Sequence, residues 1–323
     1  MSNTPPGGHC ILGFVSNLTI TVCDGGYAKE SENLVKSIEY ILNLEEIDRD
    51  IYRGPVVESV LARTFGGQVA AQALVAAIHT VDDEYTAHSL HGYFVGPGDP
   101  TKPAIYMVDR LRDGRSFCTR TVRGIQDGEV IFSMQASFHR GDKGIEHMDQ
   151  MRKVPGPDEI KGTVARLPLS NRRLLDEWSE WDIRVVPPAE LEPNELTATE
   201  QVVWIRCKAQ LPDDPTFHQC TLTYMSDMTL LHGSLGPHPG EEVQMASLDH
   251  AVWFLRPFRV DEWLLYDQRS PSAADGRALT HGRLFNQKGE LVAIVNQEGL
   301  TRYLRDGAQS IPMNAQSIPM KEQ

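Results

Sequence analysis

Cysteine is scarce and unpatterned in this chain: Cys10, Cys23, Cys118, Cys207 and Cys220 are widely spaced, with no Cys-x-x-Cys pair. An odd, scattered set does not read as a disulfide framework or a zinc site, and it points to a reducing compartment. Positive charge is also short. Lysine and arginine number 31 against 44 acidic residues, a net charge of -13, which argues against gripping nucleic acid or an anionic membrane by general attraction. No apolar run has the length of a membrane span. The mildly apolar residues 11–23 lack a basic flank and carry Ser16, Asn17, Thr19 and Thr21, so they read neither as a signal peptide nor as a span. No Gly-x-Ser-x-Gly elbow surrounds any serine, which disfavours a serine hydrolase of that type. The final Lys321-Glu322-Gln323 is not a peroxisomal address of the Ser-Lys-Leu kind.

What is present is a globular composition in 323 residues, enough for about two ordinary domains. Residues 1–36 hold Pro5-Pro6-Gly7-Gly8 and Gly25-Gly26 without sustained periodicity and read as a poorly ordered extension. The far end, 307–323, repeats Gln-Ser-Ile-Pro-Met and reads as a disordered tail. Between them the chain repeats itself. Asp113-Gly114-Arg115 recurs as Asp275-Gly276-Arg277, Gln135 recurs as Gln297, and Phe94, Pro97 and Tyr106 match Phe254, Pro257 and Tyr266 at nearly the same offset. An ordered series of this kind marks a duplication.

Each copy has the same predicted elements. The first (37–140) has an alanine-rich helix over 67–78, then strands over 88–95, 103–112, 116–124 and 129–138; the second (197–306) has a helix over 217–231, then strands over 245–255, 262–268, 278–285 and 290–298. Gln126-Asp127-Gly128 and Gln287-Lys288-Gly289 supply matching hairpin turns. The proline-rich, charged residues 141–196 read as a linker. The fold class is α+β, with antiparallel strands that wrap a helix, twice.

Three polar residues stand out on apolar backgrounds. On a helix over 217–231, Asp227 shares a face with Thr223, Tyr224, Leu230 and Leu231, where a carboxylate needs partners; it is either a general base or a cap turned outward. Gln297 falls on the face of Leu291, Ala293 and Val295, as a functional amide or a buried glutamine tied to backbone. Ser247, a lone serine opening a strand, is by itself a structural hydroxyl.

The segment Ser247-Leu248-Asp249-His250-Ala251-Val252-Trp253-Phe254, followed by Arg256-Pro257-Phe258, resembles the hallmark of type II acyl-CoA thioesterases, which include bacterial thioesterase II and the eukaryotic peroxisomal enzymes. The likeness extends through Asn43-Leu44-Glu45, Phe65-Gly66-Gly67-Gln68, His88-Ser89-Leu90-His91-Gly92-Tyr93-Phe94-Val95, Gln135-Ala136-Ser137-Phe138, Ser226-Asp227 and Gln297-Glu298-Gly299. It implies a tandem, or double, hotdog fold. It also implies a catalytic set of Asp227, Ser247 and Gln297 that activates water on a fatty acyl-CoA thioester, with no acyl-enzyme, no cofactor and no metal. Association of double-hotdog units and an intracellular setting, peroxisomal matrix or cytosol, follow from the same resemblance.

Around that set the sequence offers weaker substrate contacts. Gly66 and Gly67 open a helix, whose N–H groups suit a carbonyl or an anion, or else they serve close packing. His88 and His91 lie three apart on a strand and so face opposite ways. Arg115 and Arg256 belong to two arginine groups, 110–123 and 256–259, suited to coenzyme A phosphates. Two rivals stand beside the thioesterase. Asp227 and His232 have a spacing that resembles hotdog enoyl-CoA hydratases, though on a continuous helix residues five apart would diverge by about 140°. A catalytically dead acyl-CoA binder is the other.

Overall fold

The computed structural model describes residues 37–160, 177–191 and 199–305. The extension at 1–36 and the tail at 307–323 lie outside the described residues. A short helix α1 (Ile38–Leu42) leads into β1 (Glu45–Asp48) and β2 (Ile51–Arg53), then α2 (Gly66–Ile78), β3 (Thr86–Phe94), β4 (Ile105–Asp113), β5 (Phe117–Gln126) and β6 (Glu129–His139). The second copy runs β7 (Trp181–Val185), β8 (Glu200–Cys207), α3 (Pro215–Ser226), β9 (Val243–Ser247), β10 (Asp249–Phe254), β11 (Leu264–Ala274), β12 (Arg277–Asn286) and β13 (Leu291–Tyr303). Among the described residues no helix is long and apolar enough to cross a membrane.

The duplication is visible in the strand order, β2-β4-β5-β6-β3 followed by its reverse, β10-β13-β12-β11-β8. The two half-sheets meet where β3 pairs antiparallel with β10, His91 opposite Ala251, so both halves share one continuous sheet. Strand β7 lies inside the segment that reads as a linker, yet it pairs with β8 and forms one edge. The sheet curls around α2 and α3. Helix α2 is apolar on nearly every side, from Val69 to Ala77, because it is enclosed rather than laid on a surface. Its alanines, none larger than a methyl group, let α3 pack alongside.

Helix α3 starts cleanly, with Asp214 accepting from the Thr216 N–H at 2.9 Å and Pro215 in the first turn. Inside the sheet its hydroxyls turn back on their own helix: Thr221 donates to the Phe217 carbonyl at 2.8 Å and Thr223 to that of Gln219 at 2.9 Å. The helix ends at Ser226, five residues before the predicted end, and Asp227 is its C-cap. A 3-10 turn, Leu231–Leu235, follows.

The single strand predicted over 245–255 is two. From Ser247 to Ala251 the chain advances four residues, while their β13 partners run only three, from Gly299 to Asn296. That is a bulge at Leu248–Asp249, and it leaves one ladder donor over. The Asp249 carboxylate takes it, accepting from the Glu298 N–H at 2.6 Å. Bulges re-aim side chains beside functional sites. Here Ser247 and His250 both end up facing Asp227 and its helix.

Candidate active site

Asp227 owes its position to three elements. Just before it, Ser226 is held from two strands: His250 Nε2 of β10 lies 2.8 Å from its hydroxyl, and Tyr266 of β11 donates to its carbonyl at 3.0 Å. From the other half, the start of α2 closes over the carboxylate, and Gly67 donates its backbone N–H to it. A Cβ at Gly66 would lie 2.8 Å from Asp227 Oδ2, and one at Gly67 would collide with the Tyr224 carbonyl. The glycine pair is therefore a condition of the two helices meeting, and one of its donors is already spent.

Ser247 and Gln297 complete a closed triangle with Asp227. Gln297 is fully buried on β13, and its amide nitrogen donates to Asp227 Oδ1 and to Ser247 Oγ, the latter at 3.0 Å. Ser247 donates to Asp227 Oδ1 at 3.3 Å. Because a carboxylate only accepts, this fixes the amide with nitrogen toward Asp227. The Gln297 carbonyl oxygen is then buried without a protein partner among the described residues.

Burial raises the Asp227 pKa above the usual carboxylate value, while His250, Gln297, Gly67 and Ser247 oppose that shift. Burial lowers the pKa of His250, against the opposing pull of Asp227 and Asp249. The Ser226 hydroxyl donates to the Thr223 carbonyl at 3.0 Å, so Nε2 of His250 carries the proton that reaches Ser226. Such an arrangement can hold and deprotonate a small nucleophile.

Two corners of the triangle, Asp227 and Ser247, line a cavity of about 420 Å³ that is walled by Leu61, Phe94, Trp178, Met228, Leu231 and Met245, with Thr64, Arg63, His232 and Arg302 as further polar groups. Sequence reasoning missed His250, Trp178, Arg63 and Arg302. His250 had a signal, since it lies in the hallmark segment; the others become neighbours only through folding. His232 corrects an expectation. With α3 ended at Ser226 the 140° argument no longer applies, and His232 lines the same cavity as Asp227.

The remaining weak candidates lie elsewhere. His88 is 2.8 Å from the Ser137 hydroxyl and packs against Phe117, and His91 bonds Asp249 at 2.9 Å. Neither lines the cavity. Arg256 donates to the carbonyls of Leu291 and His147 at 2.9 and 3.0 Å, so it latches the connection between the halves. Arg115 lies at the β4–β5 turn, whose carbonyls at Gly114 and Arg115 accept from Tyr85. Of its neighbours, Arg110 pairs with Asp50 and Arg120 with Asp113. Those guanidinium groups are occupied inside the first half.

Comparison with known proteins gives this geometry a lineage. Residues 58–139 match the family described as acyl-CoA thioesterase N-terminal domain, and residues 176–300 match the one described as acyl-CoA thioesterase. Acyl-coenzyme A thioesterase 8 of Homo sapiens is 38% identical over 279 residues, covering 81% of this chain and 88% of that protein. Acyl-CoA thioesterase 2 of Haemophilus influenzae is 34% identical over 283 residues, covering 84% and 99%. The crystal structure of acyl-CoA thioesterase II TesB2 from Mycobacterium marinum superposes with a TM-score of 0.75 at 53% identity, covering 83% of this chain and 99% of that one. With both halves matched in order and relatives aligned nearly end to end, the chain belongs to the acyl-CoA thioesterase family.

Proposed function

We propose that this protein hydrolyses fatty acyl-CoA to the free acid and coenzyme A, using a water molecule activated by Asp227, Ser247 and Gln297. The observation that carries the reading is the closed triangle of carboxylate, hydroxyl and amide at the wall of an apolar cavity. Asp227 and Ser247 Oγ face the cavity and offer the attacking water its contacts, Gln297 fixes both from behind, and holding the water there removes translational freedom before reaction. Asp227 accepts a proton as the water oxygen bonds to the thioester carbon, and its raised pKa makes it a stronger base than an exposed aspartate. The oxyanion forms near the start of α2, where the helix dipole favours negative charge. The carbon–sulfur bond then breaks, and the proton on Asp227 passes to the departing thiolate. No covalent acyl-enzyme is needed.

His232 in the cavity keeps the enoyl-CoA hydratase as a second reading. A saturated acyl-CoA separates the two, because thiol release without a double bond cannot come from hydration. Thiol release by the purified protein, and a fall of about 10²–10⁴-fold in Asp227→Asn, are the expected results. An unchanged rate in the variant would remove Asp227 from the mechanism, and no release by the wild type would leave a binder. The reading carries an intracellular setting, cytosol or peroxisomal matrix, where acyl-CoA is formed and used; cell fractionation tests which.

A further inference from the structure

We infer that Arg302 anchors the phosphates of coenzyme A, with the nucleotide lying beyond it against Tyr303; this rests on acyl-CoA being the substrate. A chain of net charge -13 must meet a polyanion with local cations, and most arginines are already engaged. Arg259 pairs with Asp261 and Asp213, and Arg283 with Asp267 and Asp149. Arg63 and Arg302 line the catalytic cavity, and among the described residues neither has a carboxylate partner.

Position distinguishes the two. Arg302 lies five residues beyond Gln297 on β13, about 17 Å along an extended strand. From the thioester sulfur to the first phosphorus of coenzyme A the pantetheine arm has thirteen bonds, which at the extended span of a peptide chain is about 15 Å. Arg63 lines the catalytic cavity alone, whereas Arg302 stands where that cavity meets a second hollow. An arm of pantetheine length running along β13 ends at the level of Arg302, with room beyond it for the nucleotide.

The path between has the right chemistry. Between the triangle and Arg302 the cavity is walled mainly by apolar side chains, among them Leu231, Met245 and Leu300, against which the methylenes and methyls of the pantetheine arm can pack. At the far end Arg302 is shared with a second hollow of about 460 Å³, lined also by Ser234, His238 and Tyr303. The Tyr303 ring, 74% exposed, gives a base a face to stack on. Glu241 and Asp275 in the same hollow can accept from an adenine amine or ribose hydroxyls and would repel phosphate, which keeps the phosphates at the Arg302 end. A guanidinium presents a fork of donors that matches phosphate oxygens.

The test compares one acyl group carried by coenzyme A and by N-acetylcysteamine, which has the thioester but no phosphate or nucleotide. For Arg302→Ala the ratio of kcat/KM on the two thioesters should fall about tenfold to a hundredfold, the scale of a charged hydrogen bond, through KM. Tyr303→Ala should lower the same ratio, Arg302→Lys should recover part of it, and the fall in Arg302→Ala should exceed that in Arg63→Ala. An unchanged ratio, an equal loss on both thioesters, or a larger effect at Arg63 would overturn the assignment. A wild type inert on both thioesters would instead strike at the thioesterase reading itself.

Discussion

At the residue scale, Asp227 ties activity and stability to pH in opposite senses. Its folded pKa is raised by burial, so the carboxylate proposed as the general base is lost as pH falls through a value above that of an exposed aspartate. A pH–rate profile should show its acid limb there. For stability the sign is reversed: a carboxyl that is harder to ionise when folded lets stability fall as pH rises from the unfolded pKa through the folded one, and above both the native state bears the full cost. Asp227→Asn should therefore melt at a higher temperature than the wild type near neutral pH, with the difference closing at pH values below the ordinary carboxylate range. Gly66→Ala probes the same carboxylate sterically. Its added methyl would lie 2.8 Å from Asp227 Oδ2 and 2.9 Å from the Phe94 ring. A fold retained by circular dichroism with kcat reduced about a hundredfold is the expected outcome.

At the scale of elements, the bulge between β9 and β10 and the early end of α3 do the positioning. His250 links them, fully buried, with Nε2 on Ser226. His250→Leu removes that contact while keeping an apolar side chain of similar bulk. It should lower kcat by about tenfold or more with KM nearly held, because small displacements of a reacting group are costly. His250→Gln can bring an amide N–H to the same hydroxyl and should recover most of the rate; equal losses in both variants would mean that only the ring's packing matters. These two elements are also where reading the sequence fell short. No glycine or proline interrupts residues 245–255, and helical spacing continues past Ser226 to Leu231, so neither stretch marks a boundary. The bulge sets the Asp249 carboxylate on the Glu298 N–H, and Asp227, where the helix ends, accepts from Gly67 of the other half. Both partners are distant in sequence.

At the scale of the whole molecule, the halves are not separable units. Strands β3 and β10 complete each other's sheet, α2 packs on α3, and Gly66 and Gly67 of the first half close over Asp227 of the second. Urea unfolding should accordingly be a single transition, with tryptophan fluorescence and loss of activity coinciding. Two resolved transitions would show that the halves hold their folds independently.

By itself the sequence determined the duplicated order of helix and strands, the hairpin turns, and two polar residues, Asp227 and Gln297, set on apolar faces, because these depend on periodicity and on turn chemistry within a few neighbours; Ser247 stood out only through the family resemblance. The meeting of the three side chains, the pull of His250 on Ser226, the cavity and the choice between arginines were decided only by the tertiary structure. Each requires groups tens to hundreds of residues apart to come within hydrogen-bonding distance, and a local pattern carries no record of which guanidinium has already found its carboxylate.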